Sequence, residues 1–162
     1  MKNIDIEIEN DDIIFKLRVN GILINNKKIL CVQMMKNGFF CLPGGHIEIG
    51  EDSKNAIIRE IKEETKIDTE IVKLISITEN FFIRNNGKKV HEISYYYLLS
   101  PKRELVIKNN EYEIVEVDKN EEIRHYFKWI DIHDLDNEEF RPIQIRDKIK
   151  KEDFNFEQII IK

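Results

Sequence analysis

Apolar and polar positions change rhythm several times along this chain. "IDIEIE" (Ile4 to Glu9) alternates at period two, as a half-exposed strand does. Asp11 and Asp12 then mark a turn. From Ile13 to Ile24, "IIFKLRVNGILI" is dense in β-branched and apolar residues, "NNKK" (Asn25 to Lys28) carries turn chemistry, and "ILCVQMM" resumes, which predicts a β-hairpin. "KNG" (Lys36 to Gly38) predicts a further turn, leading through "FFCLP" to Gly44-Gly45. One stretch, about Asp52 to Thr65, has a strong helical signature, with Ser53 as its expected cap and no Gly or Pro inside. Beyond it, "TEIVKLISITENFFI" and "KKVHEISYYYLLS" flank "RNNGKK", whose Asn86-Gly87 is a hairpin signal. Strands are expected again at "YEIVEV" and "HYFKWIDI", and "FRPIQIRDKIKK" predicts a second helix with Pro142 in its first turn.

Strands, a helix, more strands and a last helix, joined by hairpin-type connections, predict an α/β fold. Its sheet should be mixed and largely antiparallel, with helices packed on its faces. A doubly wound parallel sheet needs alternating helices that this pattern lacks. With 162 residues and no internal repeat or linker-like tract, the chain suits a single domain over 1–162.

Composition narrows the function classes. Hydrophobic residues make up 41% and charged residues 35%, a globular balance. No apolar run approaches the ~20 residues of a spanning helix, so no membrane segment is expected. The acidic, alternating start lacks the basic and apolar regions of a secretory signal, which predicts a cytoplasmic location. Two cysteines, Cys31 and Cys41, lie in predicted strands and read as reduced, packed thiols. A net charge of −5 argues against a nucleic-acid surface. An acidic protein that binds a phosphorylated small molecule needs a divalent cation between the two charges.

The helix itself concentrates acid. At about 100° per residue, Ile57, Ile58, Ile61 and Thr65 fall on one side, while Ala56, Glu60, Glu63 and Glu64 gather on another. Carboxylates at such spacing repel by about 0.2–0.5 kcal/mol per pair in water. Arg59, four residues before Glu63, can offset part of this; Lys62 and Lys66 lie on other faces. A solvated acidic face explains the charge if the helix is taken alone. The glycine pair ahead of it, which lets a ligand approach the main chain closely, favours instead a site for a hard divalent cation.

Gly45, five residues, Glu51, seven residues and then "REIKEETKI" (Arg59 to Ile67) resemble the signature of the MutT-like Nudix hydrolases, G-x5-E-x7-R-E-U-x-E-E-x-G-U, with U apolar. Lys66 stands where the second glycine belongs. "FFCLPGG", "HEI" (His91 to Ile93) and "FKWIDIHDL" also look like the family's flanking strands, so the resemblance spans about Leu17 to Leu135. It implies an α/β/α sandwich with a loop-helix-loop catalytic motif. It further implies cleavage of a pyrophosphate bond in a nucleoside diphosphate linked to another group, such as a nucleotide sugar, ADP-ribose, a dinucleoside polyphosphate or a nucleoside triphosphate. By position, Glu60, Glu63 and Glu64, with the Gly45 carbonyl, would hold Mg2+ or Mn2+. Glu60 is the first choice to activate water, Glu63 shares the catalytic face, Arg59 would orient a carboxylate, and Glu51 would support the loop or bind a metal through water.

Further expectations follow for single residues. Lys66 should take a left-handed conformation at a cost of about 1 kcal/mol and alter the helix end slightly. Glu121 or Glu122 could add a late carboxylate or form a plain acidic turn. His46 reads as a polar loop residue, with a phosphate contact as the sharper guess. Phe39, Phe40, Tyr95, Tyr96 and Trp129 read as packing, with one of them free to stack on a base. Arg84, Lys88 and Lys89 read as solvated charge or as phosphate steering. "IDIEIE" and "EQIIIK" are candidate edge strands through which a homodimer would form. The alternative function is a nucleotide-sensing or regulatory module on the same fold without turnover; the full set of acids argues against it.

Overall fold

A computed structural model of the chain describes residues 4–33, 35–36, 38–118 and 121–162, with backbone alone at 116–118 and 121. Strand β1 is Glu7–Glu9, β2 Ile13–Asn25, β3 Lys28–Gln33 and β4 Gly44–His46. Helix α1, Ser53–Thr65, follows, then β5 Thr69–Ile83, β6 Lys89–Pro101, β7 Glu111–Asp118 and β8 Glu121–Asp131. A 3-10 helix (Ile132–Asn137), α2 (Ile143–Lys150) and β9 (Glu157–Ile161) complete the chain.

The sheet runs β7-β8-β3-β2-β6-β5-β9. β2 pairs with β6, and β5 with β9, in parallel, while the other pairings are antiparallel. The expected mixed, largely antiparallel sheet is therefore present. The terminal "EQIIIK" does form an edge strand, but it pairs with β5 of its own chain.

Period-two alternation sorts the strand residues into two cores, one on each face. Val19, Leu23, Leu30, Val32, Tyr97, Leu99, Phe127 and Trp129 pack against Ala56, Ile57 and Ile61 of α1. Ile22, Ile29, Cys31, Tyr96 and Ile130 pack on the other face against Ile145 and Ile149 of α2 and Leu135 of the 3-10 helix. The result is an α/β/α sandwich. Each fully buried isoleucine contributes about 1.5–3 kcal/mol, so both helices are held by packing more than by propensity. Gly21 lets α1 come close, since a Cβ there would lie 2.7 Å from Ile61 Cδ1 and from Leu99 Cδ1.

β2 gives one edge wholly to β6, from Ile13 to Leu23. The other edge is divided among β1 at Ile14 to Lys16, β4 at Arg18 to Asn20 and β3 at Ile24 and Asn25. The β2–β3 hairpin closes through Asn26 and Lys27, both at positive φ (50° and 62°), as a tight two-residue turn demands. The two strands then part. The chain from Cys41 to His46 enters the gap: Cys41 exchanges backbone hydrogen bonds with Val32 at 2.8 and 2.9 Å, and Gly21 N–H donates to Pro43 O at 2.9 Å. This places the glycine pair in the middle of the sheet.

Two details of α1 differ from expectation. Asp52 caps the helix, its Oδ1 accepting from Lys54 N at 2.9 Å and Asn55 N at 3.0 Å, while Ser53 Oγ instead shares a 2.7 Å hydrogen bond with Tyr97 Oη. Both residues are good caps, and the contact with Tyr97 decides between them. Ala56 is fully buried with Ile57 and Ile61 and belongs to the core face, whereas Ile58 is only half-buried. At the far end Lys66 is left-handed (φ 62°, ψ 10°), and its N–H donates to Lys62 O at 3.1 Å, so the helix closes as it would with glycine there.

Candidate functional site

Arg59 organises the loop and the first turns of α1 around one guanidinium. Its Nε and Nη2 grip both oxygens of Glu51 at 2.9 and 2.8 Å, a bidentate pair. Nη1 donates to Glu60 Oε1 at 2.8 Å and to Glu63 Oε2 at 3.3 Å, and Nη2 reaches the His46 carbonyl at 3.0 Å. Glu51 Oε2 also accepts from Glu48 N at 3.2 Å, which closes the loop on itself. The expected pairing of Arg59 with Glu63 is thus one contact among several. Its grip on Glu51, eight residues earlier, joins the two ends of the motif.

The glycine pair receives two carboxylates from α1. Glu64, 9% exposed, accepts a hydrogen bond from Gly44 N–H at 2.9 Å. Glu60 lies against Gly45: a Cβ built there would be 2.3 Å from Glu60 Oε2 and 2.5 Å from Oε1. Gly44 has φ +150°, and a Cβ on it would meet Val19 O at 2.1 Å. Gly44 therefore excludes any side chain, because the strand backbone it meets is fixed, whereas a side chain at Gly45 would have to displace the Glu60 carboxylate.

Burial sets the electrostatics of Glu60. Desolvation pushes its carboxyl above the ordinary value, opposed by the Arg59 hydrogen bond and charge; Glu63 raises it further and Arg18 lowers it. Glu51 moves the other way, because the Arg59 hydrogen bonds hold its carboxyl low. Arg59 is itself raised, chiefly by Glu51. Burial pushes Cys41 to about 11 and Cys31 well up, and both thiols are free.

The structure brings Arg59, Glu51, Glu60 and Glu63 into one contact set and sets Glu64 on Gly44. Glu122 is exposed and spends its carboxylate on Arg124 at 2.9 Å, while the Glu121 side chain lies outside the described residues. His46 Nε2 stands 2.9 Å from Glu7 Oε2, and burial lowers its pKa. Lys88 bonds to Glu9 at 2.7 Å and to the Asn10 carbonyl. Phe40, Tyr96 and Trp129 are buried, Tyr95 is half-buried, and Phe39 is exposed beneath Arg141 at 4.8 Å.

Two side chains, one beside the glycine pair and one beside Glu64, had no signal in the motif. Arg18, in β2 opposite His46, donates to Gly44 O at 3.4 Å. His125, buried on β8, places Nδ1 4.0 Å from Glu64 Oε1. Strand register delivers both, and register is long-range information.

Among the described residues, no three acidic, histidine or cysteine side chains are already drawn together as a cation site. Arg59 stands among the carboxylates instead. The donors still suit a hard cation: oxygen ligands at helical spacing, Glu60 packed directly against the Gly45 backbone, and a Glu63 side chain 56% exposed and able to turn.

A model of the NUDIX domain matches residues 15–149. An ADP-ribose pyrophosphatase of Methanocaldococcus jannaschii is 34% identical over 84 residues, 50% of this chain and 48% of that protein. A putative mutator protein, MutT4, of Mycobacterium tuberculosis is 36% identical over 58 residues, 36% of this chain and 23% of that one. The chain thus spans about half or less of the length of these relatives. Among solved structures, an ADP-ribose pyrophosphatase from Streptococcus suis superposes with TM-score 0.58 at 19% identity, covering 90% of this chain and 98% of that one. A MutT protein from Bacillus halodurans gives TM-score 0.59 at 14% identity, covering 88% and 86%. At such identities these likenesses concern the fold.

Proposed function

This chain belongs to the NUDIX domain family, and we propose that it is a pyrophosphohydrolase that uses the acidic face of α1 and a divalent cation to cleave nucleoside-diphosphate derivatives. The observation that carries this reading is the Arg59-centred set of Glu51, Glu60 and Glu63 beside a glycine pair against which Glu60 and Glu64 pack directly. ADP-ribose is the first substrate to try, because relatives and fold neighbours bear that name.

Glu60, Glu63 and Glu64 would hold Mg2+ or Mn2+, which when bound neutralises phosphate charge and lowers the pKa of water. Glu60, raised by burial, is suited to take a proton at neutral pH. A water oxygen bonds to one phosphorus as its P–O bond to the bridging oxygen breaks, the water's proton passes to Glu60, and the bridging oxygen leaves with the other phosphate; ADP-ribose or a nucleotide sugar then gives two phosphate monoesters. Arg59 fixes the rotamers of Glu51 and Glu60, so that their geometry is set before substrate arrives.

The test is a panel of ADP-ribose, a nucleotide sugar, a dinucleoside polyphosphate and a nucleoside triphosphate with Mg2+ or Mn2+, read by product analysis. Cleavage that is lost on chelation and in Glu60→Gln supports the reading. Tight binding of a nucleotide without product would replace it with the sensor function.

A further inference from the structure

Two arginines stand at the glycine pair, and they are used differently. Arg59 has its donors engaged on Glu51, Glu60, Glu63 and the His46 carbonyl. Arg18 makes one long contact, Nη2 to Gly44 O at 3.4 Å, and its Nη1 is 3.9 Å from Glu92 Oε2. Its Nε is enclosed by protein and has no hydrogen-bond partner among the described residues. An enclosed guanidinium N–H without an acceptor is uncommon and asks for a reason. The side chain is 30% exposed, so a ligand can reach it.

Position supplies the reason. Arg18 alternates with Val19, which packs on the α1 side, so it projects on the α2 side of the sheet, next to His46 in β4 and Ser94 in β6. Glu60 and Glu64 reach the same two glycines from the α1 side. Arg18 and the catalytic carboxylates therefore face each other across a stretch of backbone with no side chains. Its positive charge acts on both neighbours: His46 is lowered chiefly by burial and then by Arg18, while Glu60, raised by burial, is opposed first by Arg59 and last by Arg18. Glu92, which also accepts from Ser94 Oγ at 3.1 Å, is close enough to keep the guanidinium in place and too far to saturate it.

We propose that Arg18 is a diphosphate-binding residue of this site, donating from the α2 side to non-bridging phosphate oxygens while the carboxylates act from the α1 side. The proposal rests on the hydrolase reading above. A diphosphate nearing Glu48, Glu51, Glu60, Glu63 and Glu64 meets excess negative charge that Arg59 only partly offsets. A second cation with open donors is what such a ligand needs, and the guanidinium fork fits phosphate.

The competing role is a brace that only holds the Gly44 carbonyl. Calorimetric titration of the full chain with α,β-methylene-ADP, a non-cleavable nucleoside diphosphate, in Mg2+ separates them. Arg18→Gln should weaken binding about ten- to hundredfold, the range of lost charge-assisted hydrogen bonds, and flatten its salt dependence. Its Tm should stay within about 3 °C of wild type. With ADP-ribose, KM should rise while kcat changes less than about threefold, because the interaction serves ground and transition state alike. Arg18→Lys, which keeps the charge and loses the fork, should recover only part of the affinity. Unchanged binding in Arg18→Gln, or a loss of binding matched by a fall in Tm, would overturn the proposal. Should Arg18→Gln fail to fold, wild-type affinity in Arg18→Lys would overturn it as well. If the wild-type chain neither binds the probe nor cleaves any member of the panel, the hydrolase reading falls and takes this proposal with it. Cleavage by wild type with KM unchanged in Arg18→Gln removes this proposal alone.

Discussion

Glu64 accepts a hydrogen bond from the Gly44 amide at 2.9 Å, which ties the last turn of α1 to β4, twenty residues before it. The contact is buried, so its loss strands a backbone donor. Glu64→Ala should destabilise the chain by about 1–3 kcal/mol in chemical denaturation. Glu64→Gln keeps an acceptor of the same reach and should stay within about 1 kcal/mol of wild type, yet lose most turnover. Equal stability of the two variants would show that the hydrogen bond is not what Glu64 gives the fold.

Gly45 and Gly44 should respond differently to alanine. At Gly45 the new Cβ meets the movable end of Glu60, which can turn away, so Gly45→Ala should fold, with Tm near wild type, and lose most activity. At Gly44 the Cβ meets the fixed Val19 carbonyl at a φ of +150°, so strain of about 1–3 kcal/mol is expected. Thermal melts beside rates distinguish the two.

Lys66 holds a left-handed φ that costs a non-glycine residue about 1 kcal/mol. Lys66→Gly should recover part of that, about 0.5 kcal/mol after the added freedom of the unfolded chain, with little change in turnover. A fall in activity would assign Lys66 a role at the site.

Acid titration carries two opposite signals. Glu51, held low by Arg59, contributes stability that is present above its unfolded value of 4.5 and is lost as pH falls through the lower folded value. Glu60, raised by burial, contributes stability present below 4.5 and lost as pH rises through its higher folded value. In metal-free buffer, Glu51→Gln should flatten the acid limb of Tm against pH. Glu60→Gln should raise Tm at neutral pH more than at pH 4.

Much of this arrangement was legible in the sequence. Strand boundaries such as Thr69–Ile83 followed from composition and from the Asn86-Gly87 turn. The pairing of Arg59 with Glu63 followed from helical spacing. What stayed hidden depends on contacts between distant segments. Asp52 and Ser53 are equally good caps until Tyr97 engages Ser53. Ala56, which helical spacing sets with Glu60, Glu63 and Glu64, belongs to the core once the sheet covers it. Arg18 approaches Gly44, and His125 approaches Glu64, only because β2 and β8 have a particular register, which local pattern does not specify.

The two-residue turn at Asn26 and Lys27 acts as a ruler for the molecule. It sets how far β3 is offset from β2, and therefore where Val32 meets Cys41 and where β8 hangs on β3. One inserted residue would rotate Leu30 and Val32 out of the layer beneath α1 and shift the anchorage of the segment that ends in the glycines. The placement of Gly44, Gly45 and the carboxylates that meet them thus depends on the length of a loop that touches none of them.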